Sequence, residues 1–335
     1  MGAIKAVQGA GRTTRARISA PAVAARKMNR DGGGERLVMV TAYDAPGART
    51  AHRAGVDIVL VGDSLAMVVL GYEDTLQVTV EDMAHHTAAV HRGLQACEAS
   101  GVEHPRPLVV GDLPWMGYHT GTHDAVRNAA MLIRAGAGAV KLEGGRKRTD
   151  VVKAIIDAEI PVMGHIGLTP QSVNAMGGFK VQGRQLSEAR SLIDDAVALV
   201  ESGVFAMVLE GVPDVLAKVI TETVPVPVIG IGAGPDCDGQ VLVWHDLLGI
   251  EDRLAPKFVR RYADIGTACQ AAIEAYVEDV RTQAFPNKSE SYVASVDLTE
   301  ALLAGTTPEG LAAAGRVLSA DAEDYLAGLY GSYAG

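Results

Sequence analysis

Acidic residues recur directly after short apolar runs in this chain. Ile58–Val61 (IVLV) leads into Gly62-Asp63-Ser64, Leu108–Gly111 (LVVG) into Asp112, Ala139–Leu142 (AVKL) into Glu143, and Ala206–Leu209 (AMVL) into Glu210. Val162–His165 (VMGH) ends on a histidine. Lys141 and Glu143 are two residues apart, so in a strand both point to the same side. A lone acid in such a place is ordinarily a helix cap. Four at successive run ends ask for another account. Gathered carboxylates cost free energy unless a cation or shared protons compensate them. An all-carboxylate set suits a hard divalent ion such as Mg²⁺. With Lys141 beside it, such a cleft can take an anionic small substrate.

The elements that must position these groups follow from the same runs. Further strands are expected at Leu37–Tyr43, Val228–Ile231 and, more weakly patterned, Pro256–Val259. The intervening stretches 46–54, 80–92, 124–135, 149–158, 187–202, 213–223 and 265–283 have helical character. Short buried strands alternating with helices imply parallel pairing through crossovers. Seven or eight such units over some 250 residues fit an α/β fold of the (β/α)8 TIM-barrel type, in which catalytic groups come from the C-terminal strand ends. The expected organisation is a basic N-terminal arm with a possible capping helix (1–34, the helix near 20–28), a catalytic barrel (35–285) and a short helical C-terminal extension (286–335). The extension holds no cluster of catalytic residue types and reads as a packing or assembly appendage.

Composition narrows the function classes. The 335 residues carry 30 Lys+Arg against 40 Asp+Glu, a formal charge of −10. That balance argues against a general nucleic-acid binder, which needs a basic face to displace counterions. No apolar stretch reaches the 18 or more residues of a membrane span. Three scattered cysteines (Cys97, Cys237, Cys269) read as reduced thiols, consistent with the cytoplasm. The first 30 residues hold seven basic residues and no acid. This reads as a flexible basic arm, with an organelle transit peptide as the lesser alternative.

Other motifs carry less. Gly230-Ile231-Gly232-Ala233-Gly234 lacks the spacing of a dinucleotide fingerprint and reads as a tight turn after strand seven. His119 and His123 are four apart but lack the glutamate of a zinc HExxH motif, so they are expected to be solvated near a helix start. His85, His86 and His91 share one amphipathic helix and read as surface or interface residues. The Gly-rich stretch 176–184 (MGGFKVQGR) is of the kind that covers barrel mouths.

At these residues the chain resembles the ketopantoate hydroxymethyltransferase family. The matching blocks include VTAYDAPGA (40–48), LVGDSLAMVVLGYEDTLQVTVEDM (60–83), GDLPWMGY (111–118), RAGAGAVKLEGG (134–145), PVMGHIGLTPQSVNAMGGFKVQGR (161–184), VLEGVP (208–213) and PVIGIGAGPDCDGQVLVWHD (227–246), in order over residues 26 to 292. The resemblance implies that Asp63, Asp112 and Glu143 form the Mg²⁺ site, some through water. It implies that Asp63–Ser64, Asp112 and Lys141 hold the 2-oxo acid, and that Glu210 is the general base. It further implies a Mg²⁺-stabilised enolate of 3-methyl-2-oxobutanoate attacking the one-carbon unit of 5,10-methylenetetrahydrofolate, giving 2-dehydropantoate and tetrahydrofolate. Family members form (β/α)8 barrels that assemble as homo-oligomers, often decamers. Gly211 stands where members commonly have cysteine. The longer leader and the tail beyond Tyr292 have no counterpart.

Two rival readings compete with this one. A Mg²⁺-dependent 2-oxo acid lyase or mutase of the isocitrate lyase and phosphoenolpyruvate mutase type would share metal carboxylates, but the lyase KKCGH motif is absent from the sequence. A non-catalytic barrel would be expected to have lost a metal carboxylate or the base; all are present.

Overall fold

Short strands, most of them buried on both faces, close into a parallel barrel of eight. The structure, a computed structural model, describes residues 16–28, 34–251, 256–292 and 295–296. The strands are β1 (Leu37–Thr41), β2 (Ile58–Val61), β3 (Leu108–Asp112), β4 (Ala139–Glu143), β5 (Val162–Gly167), β6 (Ala206–Glu210), β7 (Val228–Ile231) and β8 (Gly239–Leu242). Each pairs in parallel with the next, and β8 pairs with β1. This is the expected (β/α)8 TIM barrel.

The eighth strand is a correction. Pro256–Val259 is a turn, and Gly239–Leu242 closes the sheet. A glycine and a glutamine interrupt the apolar pattern of that run, which hides it. The glycine has a physical reason: a Cβ on Gly239 would lie 2.5 Å from the carbonyl oxygen of Leu37 on β1. Only a residue without a side chain lets β8 approach there.

Alternate residues fill two cores. Leu37, Met39, Ile58, Leu60, Leu108, Val110, Ala139, Met163, Ala206, Val208, Ile229 and Val241 pack inside the barrel. Val59, Val61, Val109, Val140, Leu142, Val162, Met207 and Leu209 face the surrounding helices. Continuing that parity upward puts Asp112, Lys141, Glu143, His165 and Glu210 on the inward side at the C-terminal ends. The helices, in chain order, are α1 (Ala20–Ala24), α2 (Ala45–Arg53), α3 (Leu65–Val68), α4 (Val80–Ser100), α5 (Thr122–Arg134) and α6 (Thr149–Asp157). They continue with α7 (Val173–Met176), α8 (Leu186–Glu201), α9 (Asp214–Thr223), α10 (Trp244–Leu247) and α11 (Ile265–Arg281). Helix α4 runs eight residues past its expected end. It starts on a Thr79/Asp82 capping box and stops at Gly101, whose φ of 89° suits glycine. Helix α1 is shorter than expected. Its Ala20 and Val23 join the interior core.

The described residues fall into two compact units divided after Thr267. The first holds the barrel. The second begins within α11, where Tyr276 and Phe285 make an edge contact at 5.6 Å. The extension expected over 286–335 lies mostly outside the described residues, as does the basic leader before Ala16. Among the described residues no helix is long and apolar enough to cross a membrane, and all three cysteines are free.

Candidate active site

Strand register brings the predicted residues together in pairs. Asp112 at the end of β3 lies opposite Lys141 on β4, and Glu143 lies opposite His165 on β5. The Lys141 Nζ is 2.7 Å from Asp112 Oδ1, and both side chains are buried. Burial alone would lower the lysine pKa. Asp112, then Glu143 and Asp63, outweigh it and hold the ammonium well above its usual value. Lys141 therefore stays charged.

Asp63 follows β2 and donates its backbone N–H to Asp112 Oδ2 at 3.2 Å. Burial first, then repulsion from Asp112 and Glu143, pushes its carboxyl well above the ordinary aspartate range. Burial also raises Asp112, against the opposing pull of Lys141. His165 stands between two carboxylates, with Nδ1 3.4 Å from Glu143 Oε1 and Nε2 3.3 Å from Glu210 Oε2. Burial and Lys141 lower its pKa, but Glu143 and Glu210 prevail and raise it to about 9. Glu210 differs from its neighbours in being 16% exposed, against 4% or less for Asp112, Lys141, Glu143 and His165. It is the carboxylate that the outside can reach. Ser64 Oγ is 2.9 Å from the Tyr43 hydroxyl. All six predicted residues thus occupy one end of the barrel, the end on which such barrels carry catalysis.

The site can be tested for a cation on its own chemistry. Its donors are carboxylate oxygens, the hard ligands that Mg²⁺ prefers. Buried Asp63, Asp112 and Glu143, with Glu210 at the opening, outnumber Lys141 and His165. Glu143 Oε1 is buried and accepts no hydrogen bond. Among the described residues, no three His, Cys, Asp or Glu side chains already converge as a ready-made cage. The residues fit.

Sequence reasoning missed a glutamine. Gln171, in the short 3-10 turn after β5, is buried and bonded to Asp63 Oδ2 at 2.8 Å. Tyr118 completes the group, its hydroxyl 2.7 Å from Gln171 Oε1. Both residues lie inside blocks quoted above, but neither has an ionised side chain to mark it. The histidine pair 119/123 separates: His123 is exposed, whereas His119 is half-buried beside Tyr118 with its pKa driven down to about 4 by burial and Arg148. His119 is therefore not the solvated residue expected. Of the α4 histidines, His85 is exposed, while His86 and His91 contact the backbone oxygens of Tyr43 and Gly136. Gly232 and Gly234 turn the chain after β7 with φ of 60° and 80°. Gly211 adopts φ 56°, a conformation glycine takes without strain. In the Gly-rich stretch 176–184, Gln182 donates its N–H to the Gly211 carbonyl at 2.9 Å, beside Glu210.

Comparison with known proteins gives this geometry its family. The family model described as ketopantoate hydroxymethyltransferase matches residues 22–288. A 3-methyl-2-oxobutanoate hydroxymethyltransferase of Moorella thermoacetica is 54% identical over 279 residues, 83% of this chain and 98% of that protein. One from Clostridium acetobutylicum is 53% identical over 259 residues, covering 77% of this chain and 90% of its own. The solved structure of a phosphonopyruvate hydrolase superposes with a TM-score of 0.52 at 15% identity, covering 90% of this chain and 98% of that one. That last likeness is one of fold alone. A family pattern that spans every strand, joined to identity above one half, decides the matter: the chain belongs to the ketopantoate hydroxymethyltransferase family and is a hydroxymethyl transferase.

Proposed function

We propose that this barrel end binds 3-methyl-2-oxobutanoate, that Glu210 removes its C3 proton, and that C3 then takes the one-carbon unit of 5,10-methylenetetrahydrofolate, with one water consumed to supply the hydroxyl oxygen and tetrahydrofolate released. The observation that carries the reading is the division of labour among the carboxylates. Asp63, Asp112 and Glu143 lie buried around Lys141 at the inner end of the site, while Glu210 is the most exposed of these carboxylates, at its mouth.

Lys141, kept charged by its neighbours, compensates the substrate carboxylate, and the Ser64 hydroxyl with the backbone at Asp63–Ser64 orients it. Asp63, Asp112 and Glu143 would hold a divalent cation, Mg²⁺ by the chemistry of the donors, which when bound supplies Lewis-acid polarisation of the keto group. Glu210 Oε accepts the C3 proton, and the His165 Nε2 3.3 Å away steadies that carboxylate. A positioned general base contributes about 10²–10⁴-fold in rate. Homo-oligomeric assembly is proposed from the family resemblance, with light scattering as its measure.

The test is direct. The purified chain incubated with 3-methyl-2-oxobutanoate, methylenetetrahydrofolate and Mg²⁺ should form 2-dehydropantoate, identified by mass spectrometry. Cleavage of the 2-oxo acid without one-carbon transfer would favour the lyase reading. No reaction in the presence of bound substrates would sink both.

A further inference from the structure

Gln171 uses every hydrogen-bonding group of its amide within the site. Nε2 donates to Asp63 Oδ2 at 2.8 Å and to the Leu113 carbonyl at 3.0 Å, and Oε1 accepts from the Tyr118 hydroxyl at 2.7 Å. Its backbone N–H donates to Glu143 Oε2 at 3.0 Å. The amide has one sensible orientation, because a flip would set its oxygen against a carboxylate and a carbonyl. Tyr118 is fixed in turn, since its hydroxyl oxygen accepts the Glu143 backbone N–H at 3.1 Å. One buried residue thus ties the ends of β2, β3 and β4 together and grips both Asp63 and Glu143.

The chemistry of the grip matters. A lysine or arginine in this place would neutralise the Asp63 carboxylate that the side chain holds, whereas an amide donates a hydrogen bond and leaves that charge in place; Glu143 is held by the backbone N–H. Only one oxygen of each carboxylate is taken, which orients the other.

We propose that Gln171, locked by Tyr118, is a positioning residue that sets the spacing of Asp63 and Glu143 for a divalent cation; this rests on the cation reading given above. Outer partners of metal ligands typically change affinity 10- to 100-fold when removed.

The experiment is Mn²⁺ binding to the chelator-treated full chain, followed by the electron paramagnetic resonance of the free aqueous ion, below the unfolding temperature of each variant. Gln171→Met keeps the length and the backbone N–H to Glu143 but loses the amide's hold on Asp63; it should bind Mn²⁺ 10- to 100-fold more weakly while circular dichroism shows a folded barrel. Tyr118→Phe leaves Gln171 in place but removes both the bond to its Oε1 and the one to the Glu143 backbone N–H, and should weaken binding roughly 2- to 10-fold for each lost hydrogen bond. Wild-type affinity in folded Gln171→Met overturns the proposal. Should that variant not fold, unchanged affinity in Tyr118→Phe overturns it instead. If the wild type takes no Mn²⁺, or Asp63→Asn binds as tightly as wild type, the cation reading itself fails.

Discussion

The two ends of the barrel treat charge in opposite ways. At the N-terminal end, among the described residues, buried Asp238 and the part-exposed Asp57 and Glu98 are each matched. Asp238 accepts from Lys27 Nζ at 2.7 Å and from the backbone N–H groups of Met28 and Val228. Asp57 pairs with the Arg26 guanidinium and accepts from Val38 N–H, and Glu98 is shared by Arg17 and Arg106. The partners come largely from the short segment around α1, so residues 16–28 are fastened across the bottom by ion pairs while Ala20 and Val23 plug the interior. At the C-terminal end carboxylates outnumber cations, and Glu143 Oε1 and His165 Nε2 make contacts too long or ill-aimed for hydrogen bonds. Uncompensated buried charge is costly. The excess of buried carboxylates at one end, beside paired acids at the other, is what the proposed cation would balance.

Substitutions at the two ends should therefore separate turnover from stability. Glu210→Gln carries the largest expected effect: turnover falls about 10²–10⁴-fold with near-normal 2-oxo acid binding. Exchange of the C3 deuterium of labelled substrate into water, followed by NMR, reads the step itself, and unchanged exchange would hand the role to His165. Asp112→Ala removes the partner of Lys141 as well as a carboxylate. Metal-dependent substrate binding and activity should drop together by at least the 10–100-fold of an outer-partner loss, in a barrel that circular dichroism shows folded. Full activity after chelation and Mg²⁺ return would remove Asp112 from the site.

At the other end the sign of the result changes. Lys27→Met leaves Asp238 buried without its cation; breaking such pairs costs about 3–5 kcal/mol when both partners are buried, and about 2–3 kcal/mol is expected here because Lys27 keeps some exposure. Urea denaturation should show that loss, with turnover per folded molecule unchanged. The smallest effect belongs to Arg17→Ala, whose guanidinium is 64% exposed. Less than about 1 kcal/mol should go, since Arg106 still holds Glu98. A turnover defect in either variant would erase the distinction between the ends.

What could be read along the chain was whatever depends on near neighbours. Alternating apolar runs announced seven of the eight strands, and acids at their ends announced Asp63, Asp112, Glu143 and Glu210. The spacing of Lys141 and Glu143 put them on one side before any partner was known, because side-chain parity is local. Closure was not legible: Gly239–Leu242 is a strand because β1 and β7 flank it, and its glycine is required by a neighbour some 200 residues earlier in the chain. The same holds for the site's finer parts. Register placed Asp112 against Lys141 and Glu143 against His165, and Gln171 reaches Asp63 across 108 residues. A neutral amide carries no charge or period to betray it. Its role exists only where three strand ends converge, and that convergence is set by barrel closure, which no local pattern encodes.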